Sequence, residues 1–400
     1  SFVAFTSFAT NLVPADGNRT MDVFVHDRST GVTERVSVDG AGNQGDRSSY
    51  DPSLSADGRF VAFASSATNL VPGDAGWRDD VFVRDRWTGA TERVSVDSAG
   101  TPGDDSSYSP SLSADGRFVA FRSRATNLVA GDTNGSIDVF VHDRWTGATE
   151  RVSVDSDGNQ ATGDTYSPAV ADCYNPAISA DGRFVAFASL AANLVPGDTN
   201  GSMDVFVHDR QTGTTERVSV DSAGTEMSYS DHPAISADGR FVTFDTVYGV
   251  FVRDRWTGST DLVSPRPVAA MDGSSLPSIS ADGRFVVFWL TGRYSTGVDD
   301  ALVYDRQTGT TERVGVDSSS TLTNGKRYGP AISADGSFVA FNSAATDLVV
   351  GDSNNLIDVF VHDRRRAAAD TAPPPQTDGR PAGTKPAGTT HATITSRTAP

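Results

Sequence analysis

The chain has 400 residues and a formal net charge of −18, with 51 Asp and Glu against 33 Lys and Arg. That balance excludes a protein that grips the phosphate backbone of nucleic acid, and nothing in the sequence approaches the roughly 18 consecutive apolar residues of a membrane span. A single cysteine, Cys173, excludes an intrachain disulfide.

The chain opens on Phe2-Val3-Ala4-Phe5, the tail of a unit that then recurs complete. Its marker is S-A-D-G, at Ser55–Gly58, Ser113–Gly116, Ser179–Gly182, Ser236–Gly239, Ser280–Gly283 and Ser333–Gly336. A self-similar unit of this length means a repeat architecture. No signal peptide is visible, and because the chain opens inside a repeat, its native N-terminus is expected upstream.

The third unit shows the elements in order. Pro110–Ser113 reads as a first strand, A. Ala114-Asp115-Gly116 is a tight turn, Asp-Gly being a strong hairpin signal. Phe118–Phe121 is apolar without alternation, as a strand buried on both faces must be; it is strand B. A long loop leads to strand C, Asp138–His142. A second turn, Trp145-Thr146-Gly147, leads to strand D, Thr149–Val154, which alternates as an outer strand should. Helical periodicity is absent. Four antiparallel strands per unit, the inner ones doubly buried, predict an all-β propeller, each blade burying its faces on its neighbours.

B strands begin at Phe2, Phe60, Phe118, Phe184, Phe241, Phe285 and Phe338, so seven blades are expected. Unit one lacks strand A and unit seven stops after strand C at Arg364, which leaves 26 of 28 strands. Residues 1–364 form the predicted propeller. Residues 365–400, rich in Ala, Pro, Thr and Gly, have a composition that builds no core, and a disordered tail is expected; Thr393–Ser396 is a candidate late strand.

The phrase P-x-[IL]-S-A-D-G-R-F-V-A-F, followed by D-V-F-V-x-D-R-x-T-G, resembles the TolB-like, WD40-like propeller repeat of bacteria. The resemblance covers residues 1–364. The usual family phrase has Pro where this chain has Ala56, Ala114, Ala180, Ala237, Ala281 and Ala334. The resemblance implies the propeller fold and an extracytoplasmic setting. TolB's N-terminal α/β domain and the G-x-S-x-G hydrolase domain of propeller-capped peptidases have no counterpart in the sequence, so those two roles do not carry over.

The B-to-C loops are the first candidate site. G-D-T-N-G-S-[IM]-D places Asp132, Asn134 and Asp138 in unit three and Asp198, Asn200 and Asp204 in unit four. Unit seven has Asp352, Asn354 and Asp358, and looser versions lie around Asp16, Asn18 and Asp22 and around Asp74, Asp79 and Asp80. Alternating oxygen ligands around a tight turn suit Ca²⁺; the same residues suit an Asx-turn closed by its own side chains. His26, His142, His208 and His362 share one position of strand C, which is Arg84, Arg253 and Tyr304 elsewhere. A position that accepts all three types reads as a half-exposed amphipathic site rather than a ring of metal ligands. Trp87, Trp145 and Trp256 occupy the C-to-D turns, to stack on a sugar or a protein partner or to lie over a neighbouring Arg.

The recurring S-A-D-G aspartates read as structural, because a catalytic carboxylate pair is unique. Irregular features are more informative: Tyr248, Trp289, Arg293 and Tyr294 in units five and six, and the insertion Asp157–Asn175 with Cys173 and Tyr174. With no catalytic signature, the expected function is a non-catalytic, monomeric binding scaffold for protein or glycan. The alternatives are an enzyme acting on polysaccharide or peptide in the central pore, and a structural surface protein.

Overall fold

In the computed structural model the described residues are 2–365, apart from 75, 164–170, 266–272, 292–299, 316–326, 353 and 355. Blade 1 has strands B, C and D at Phe2–Ser7, Asp22–Asp27 and Val32–Arg35. Blade 2 has A to D at Ser49–Leu54, Phe60–Ser65, Asp80–Asp85 and Ala90–Arg93. In blade 3 they are Ser107–Leu112, Phe118–Ser123, Asp138–Asp143 and Thr149–Arg151. Blade 4 has Cys173–Ile178, Phe184–Ser189, Asp204–Asp209 and Thr214–Arg217. Blade 5 has Asp231–Ile235, Phe241–Thr246, Gly249–Asp254 and Ser259–Leu262. Blade 6 has Gly273–Ile279, Phe285–Thr291, Asp300–Asp305 and Thr310–Arg313. Blade 7 has A, B and C at Arg327–Ile332, Phe338–Ser343 and Asp358–Asp363. Every sheet is antiparallel in the order A-B-C-D; among the described residues blades 1 and 7 are three-stranded and the other five are four-stranded.

Strand D is shorter than the alternation predicts. In blade 3 it ends at Arg151, because Ser153 Oγ is drawn to the Asp138 carboxylate and to the Val139 N–H, 3.1 Å away. Strands B and C carry the core: Val119, Ala120, Phe121, Val139, Phe140 and Val141 are wholly buried, and the paired phenylalanines of B and C stack in six blades.

Each letter of S-A-D-G-R-F has a physical task. Ser113 Oγ donates to Asp115 Oδ1 and accepts the Phe118 N–H. Asp115 Oδ1 accepts the Arg117 N–H. Gly116 has φ +73°, and a Cβ there would fall 2.2 Å from the ring of Phe60 in the preceding blade, so glycine is required on both counts. Arg117 grips Asp143 of its own strand C through two hydrogen bonds, at 2.9 and 2.6 Å. Ala114 bonds outward to the next blade. The N–H of Ala56 donates to Ala114 O, Ala114 to Ala180, Ala180 to Ala237, Ala237 to Ala281 and Ala281 to Ala334, all at 2.9–3.0 Å. This chain of backbone bonds runs around the inner rim, and a proline at any of these positions has no N–H to give. The Ala-for-Pro departure thus alters how blades join.

Between blades, the Arg that follows strand C covers the first Phe of strand B in the preceding blade. Arg86 covers Phe2, Arg144 Phe60, Arg210 Phe118, Arg255 Phe184, Arg306 Phe241 and Arg364 Phe285, at 4.0–4.4 Å. Arg28 of blade 1 covers Phe338 of blade 7 at 3.8 Å. The seventh contact joins the last blade to the first and closes the ring.

Candidate functional site

Topology puts the A-to-B and C-to-D turns on one face of the ring and the B-to-C and D-to-A loops on the other. The turn face holds Trp87, Trp145 and Trp256, each about two-thirds exposed. Each lies over the Arg of its own S-A-D-G-R: Trp87 on Arg59 at 4.7 Å, Trp145 on Arg117 at 4.6 Å, Trp256 on Arg240 at 4.7 Å. The guanidinium is thereby held between indole, Phe ring and the strand C carboxylate, and that pairing holds Asp85, Asp143 and Asp254 well below the usual carboxylate range. The outer indole face stays open to solvent.

On the loop face the Asp-Asn pattern folds around an arginine from strand D. Asp138 is fully buried. It accepts Ser153 Oγ on one oxygen and, on the other, Asn134 Nδ2 at 3.1 Å and Arg151 at 3.4 Å. The same guanidinium nitrogen lies 3.3 Å from Asp132. In blade 4, Arg217 lies 3.3 Å from Asp198, 3.8 Å from Asp204 and 2.8 Å from Glu226. Asn134 Oδ1 and Asn200 Oδ1 accept the N–H two residues on, from Ser136 and Ser202, which is Asx-turn geometry. Burial, with Asp138 second, pushes Asp132 up to about 6; burial likewise pushes Asp204 up to about 6. In both blades the strand D guanidinium lies between the two carboxylates. In blade 7, Asp358 is bonded by Asn354, and no strand D of the described residues brings an arginine to Asp352. Among the described residues, no group of three or more His, Cys, Asp or Glu side chains is arranged around a metal position.

The strand C histidines are more enclosed than a half-exposed site: His26, His142 and His208 are buried. His142 Nδ1 lies 2.8 Å from Thr149 Oγ1 of strand D. That hydroxyl donates to Val96 O of the preceding blade, so Nδ1 is the donor to it. Arg84 and Arg253 reach the equivalent Thr91 and Thr260. In blades 1 to 5 a side-chain nitrogen at this position, from His or Arg, thus meets the strand D threonine; in blade 6 the position is Tyr304, paired with Thr311. Cys173 takes the place of Ser49 and Ser107, opposite a strand B serine; its Sγ is 3.3 Å from Ser189 Oγ. Burial pushes the thiol up, which removes it as a nucleophile.

The blade-to-blade symmetry breaks most sharply at the inner rim of the loop face. Strand A carries a bulge in every complete blade. The bulge residues Asp51, Ser109, Asn175, His232 and Leu276 all have φ near +50°. Opposite the bulge, the fifth residue of strand B is Ala64, Arg122, Ala188, Asp245, Trp289 or Asn342. In blade 3, Arg122 lies 5.5 Å from the rings of both Tyr108 and Tyr174, and its Nε is buried without a hydrogen bond. In blade 5, Asp245 receives His232 Nδ1 at 3.2 Å and the Leu276 N–H at 3.1 Å. Asn175 donates to Asp231 at 2.9 Å. Arg122, Asp231, His232 and Asp245 were not among the sequence candidates. The legible signal was one variable column beside an otherwise constant F-V-x-F. Trp289 belongs to the same column; Arg293 and Tyr294 lie outside the described residues.

No protein family and no curated protein matches the chain. Solved structures do. An oligogalacturonate lyase in complex with manganese aligns with a TM-score of 0.51 at 14% identity, over 86% of this chain and 81% of that one. A prolyl endopeptidase aligns with a TM-score of 0.57 at 13% identity, over 86% of this chain and 45% of that one. TolB from Acinetobacter baumannii aligns with a TM-score of 0.45 at 18% identity, over 78% of this chain and 62% of TolB. This chain is a seven-bladed β-propeller. At these identities the likeness is one of fold, and a propeller hosts many functions. Among the described residues no helix is long and apolar enough to cross a membrane.

Proposed function

We propose that this propeller is a monomeric, extracytoplasmic binding scaffold that takes a protein or glycan ligand at the inner rim of blades 3 to 5, on the loop face. The observation that carries the reading is the variable column of strand B. The residue type changes there to Arg122 and Asp245, while the turns, cores and inter-blade contacts around it repeat. An arginine flanked by two tyrosines offers a planar donor and aromatic faces, which suit a carboxylate or a sugar ring. Asp245, Asp231 and Asn175 add acceptors and a donor for hydroxyl or amine groups.

Pull-down and glycan-array screening, followed by titration of the captured ligand, test it. Arg122→Ala and Asp245→Asn are each expected to weaken binding at least ten-fold with little change in Tm. Ligand binding untouched by both variants but lost in Trp145→Ala would move the site to the turn face. Ca²⁺ in the Asp-Asn loops is a subordinate part of the proposal. Calorimetric titration of metal-stripped protein tests it, and neither heat nor thermal stabilisation would remove it.

A second reading, an enzyme acting on polysaccharide or peptide, is favoured by the contact between His232 and Asp245 at a position no other blade reproduces. A carboxylate that orients an imidazole is a common general-base arrangement. Turnover on uronate polysaccharides and on peptides, abolished by Asp245→Asn, would support it; no turnover on either substrate class removes it.

A further inference from the structure

On the loop face, the D-to-A loops that cross between blades 1 and 4 are held by a side chain that blade 5 lacks. At the crossing from blade 1 to blade 2, Asn69 of the B-to-C loop lies over the D-to-A loop. Its Oδ1 accepts the Asp46 N–H at 2.9 Å and its Nδ2 donates to Gln44 O at 2.9 Å. Asn127 does the same for the Asp104 N–H and Pro102 O, and Asn193 for the Thr162 N–H and Gln160 O. A primary carboxamide presents an acceptor and a donor side by side, so it closes both backbone groups at once. At the crossing from blade 4 to blade 5 the corresponding groups are Glu226 O and the Ser228 N–H. Strands B and C of blade 5 are joined only by Val247-Tyr248, so no asparagine of that blade reaches them. Among the described residues neither group has a hydrogen-bond partner.

We propose that this notch beside blade 5 is a docking site for a polypeptide partner, which seats the carboxamide of an asparagine or glutamine between Glu226 O and the Ser228 N–H. The floor of the notch fits an open site. At the covered crossings the residue between the two backbone groups is Gly45, Gly103 or Ala161, and a Cβ on Gly45 or Gly103 would stand only 3.2 or 3.1 Å from Ala67 or Ala125 of the covering loop. In the notch it is Met227, half-buried against the core of blades 4 and 5. A long, flexible apolar side chain fits there because no loop of blade 5 covers it. The walls are apolar and exposed: Tyr229 at 66%, Val247 at 59% and Tyr248 at 65%. Tyr248 stands where Ala67, Ala125 and Ala191 are buried in their own loops. Asp231 pairs with Asp245 across strands A and B, which sets Tyr229, two residues before the one, beside Val247, two residues after the other.

The chemistry of the notch favours a polypeptide over a glycan. The acetamido group of an amino sugar is a trans amide, with its C=O and N–H on opposite sides, so it meets one of the two backbone groups only. Asn and Gln meet both. An acidic side chain is disfavoured by Glu226 O, which would face a second acceptor, and by the Glu226 and Asp231 carboxylates of the same loop. Apolar residues flanking the carboxamide would lie on Met227, Val247 and the two tyrosines, as Leu70, Leu128 and Leu194 are buried beside their own asparagines. The notch uses neither Arg122 nor Asp245, so it stands independently of the ligand proposed for the inner rim.

The test titrates the whole protein with the peptide S-A-T-N-L-V, the sequence of residues 66–71, blocked by acetyl and N-methylamide so that its asparagine holds the one primary carboxamide. Expected are saturable binding by NMR titration and slowed hydrogen exchange at 226–229 and 247–249. The peptide carrying Asn69→Asp should bind at least ten-fold more weakly, and so should protein carrying Ser228→Pro, which removes the N–H. Tyr248→Ser, a change to an exposed side chain, should weaken binding at least five-fold with Tm unchanged. No saturable binding, equal binding of the Asn69→Asp peptide, or indifference to Tyr248→Ser would overturn the proposal. So would protection at 108 and 122, which would put the peptide on the inner rim, and so would N-acetylglucosamine oligomers that protect 226–229 where the peptide does not.

Discussion

Arg28 lies over the ring of Phe338 at 3.8 Å, and these two residues come from the first and the last blade. The six other Arg–Phe contacts of the ring join blades that are neighbours in sequence; this one joins chain ends more than 300 residues apart. Phe338 is also covered by Arg365 at 4.2 Å. Arg365 grips Asp363 at 2.9 and 3.0 Å, the task that Arg59, Arg117 and Arg183 perform from the S-A-D-G-R position. In blade 7 that position is Ser337, and the guanidinium comes instead from the far side of strand C.

Phe338→Ala is therefore expected to destabilise the ring by about 3 kcal/mol, the lower end for loss of a packed Phe. Phe118→Ala should cost more, because Phe118 also packs on Gly182. Urea unfolding of both variants measures the difference. An equal loss would mean that blade 7 and blade 1 are joined as tightly as the blades inside the array.

The alanine bonds make a graded prediction. Ala114→Pro removes the N–H that reaches Ala180 O and should cost about 1 kcal/mol, the net value of one hydrogen bond. Ala334→Pro, at the end of the chain of bonds, should cost less. Thermal unfolding monitored by circular dichroism ranks the two.

Two glycines with the same backbone conformation separate strain from collision. Gly147 has φ +77° and open space where a Cβ would go, whereas a Cβ on Gly182, at φ +75°, would meet the Phe118 ring at 2.1 Å. Gly147→Ala should cost about 1 kcal/mol from the left-handed backbone alone. Gly182→Ala should cost substantially more and loosen the contact between blades 3 and 4, visible as faster hydrogen exchange of residues 118–121.

Stability should pass through a maximum in mild acid. Asp132 and Asp204 are raised to about 6. As pH climbs from about 4 to 6 the unfolded chain loses these protons first, so stability falls across that window and then levels. Asp85, Asp143, Asp209 and Asp254 are lowered, first by their arginine partners. Their contribution is complete above about 4 and is lost as pH drops further. Asp204→Asn should flatten the fall between 4 and 6 while leaving the acid limb intact, as read from chemical denaturation at a series of pH values.

The repeat and its strands were legible because each local choice agrees with the next. Asp-Gly forms the A-to-B hairpin, F-V-A-F is apolar throughout because strand B is buried on both faces, and seven F-V starts give seven blades. The turn role of the S-A-D-G aspartates was legible, since hydrogen bonds within a turn depend on neighbours in sequence. What spacing left undecided is whatever depends on an adjacent blade. The Asp-Asn loops read as cation ligands or as self-closed turns, and spacing did not show that Arg151 and Arg217 of strand D lie among them. The shared histidine position looked half-exposed because its threonine, and the carbonyl beyond it, come from another strand and another blade. The role of the S-A-D-G alanine was not legible because its partner is the same alanine some 44 to 66 residues away. Local hydrogen bonding and the period of the core determined the blade. Only the packing of blade on blade decided where Arg122, Asp245 and His232 stand out, because a variable column becomes a place only when the ring brings its members to one rim.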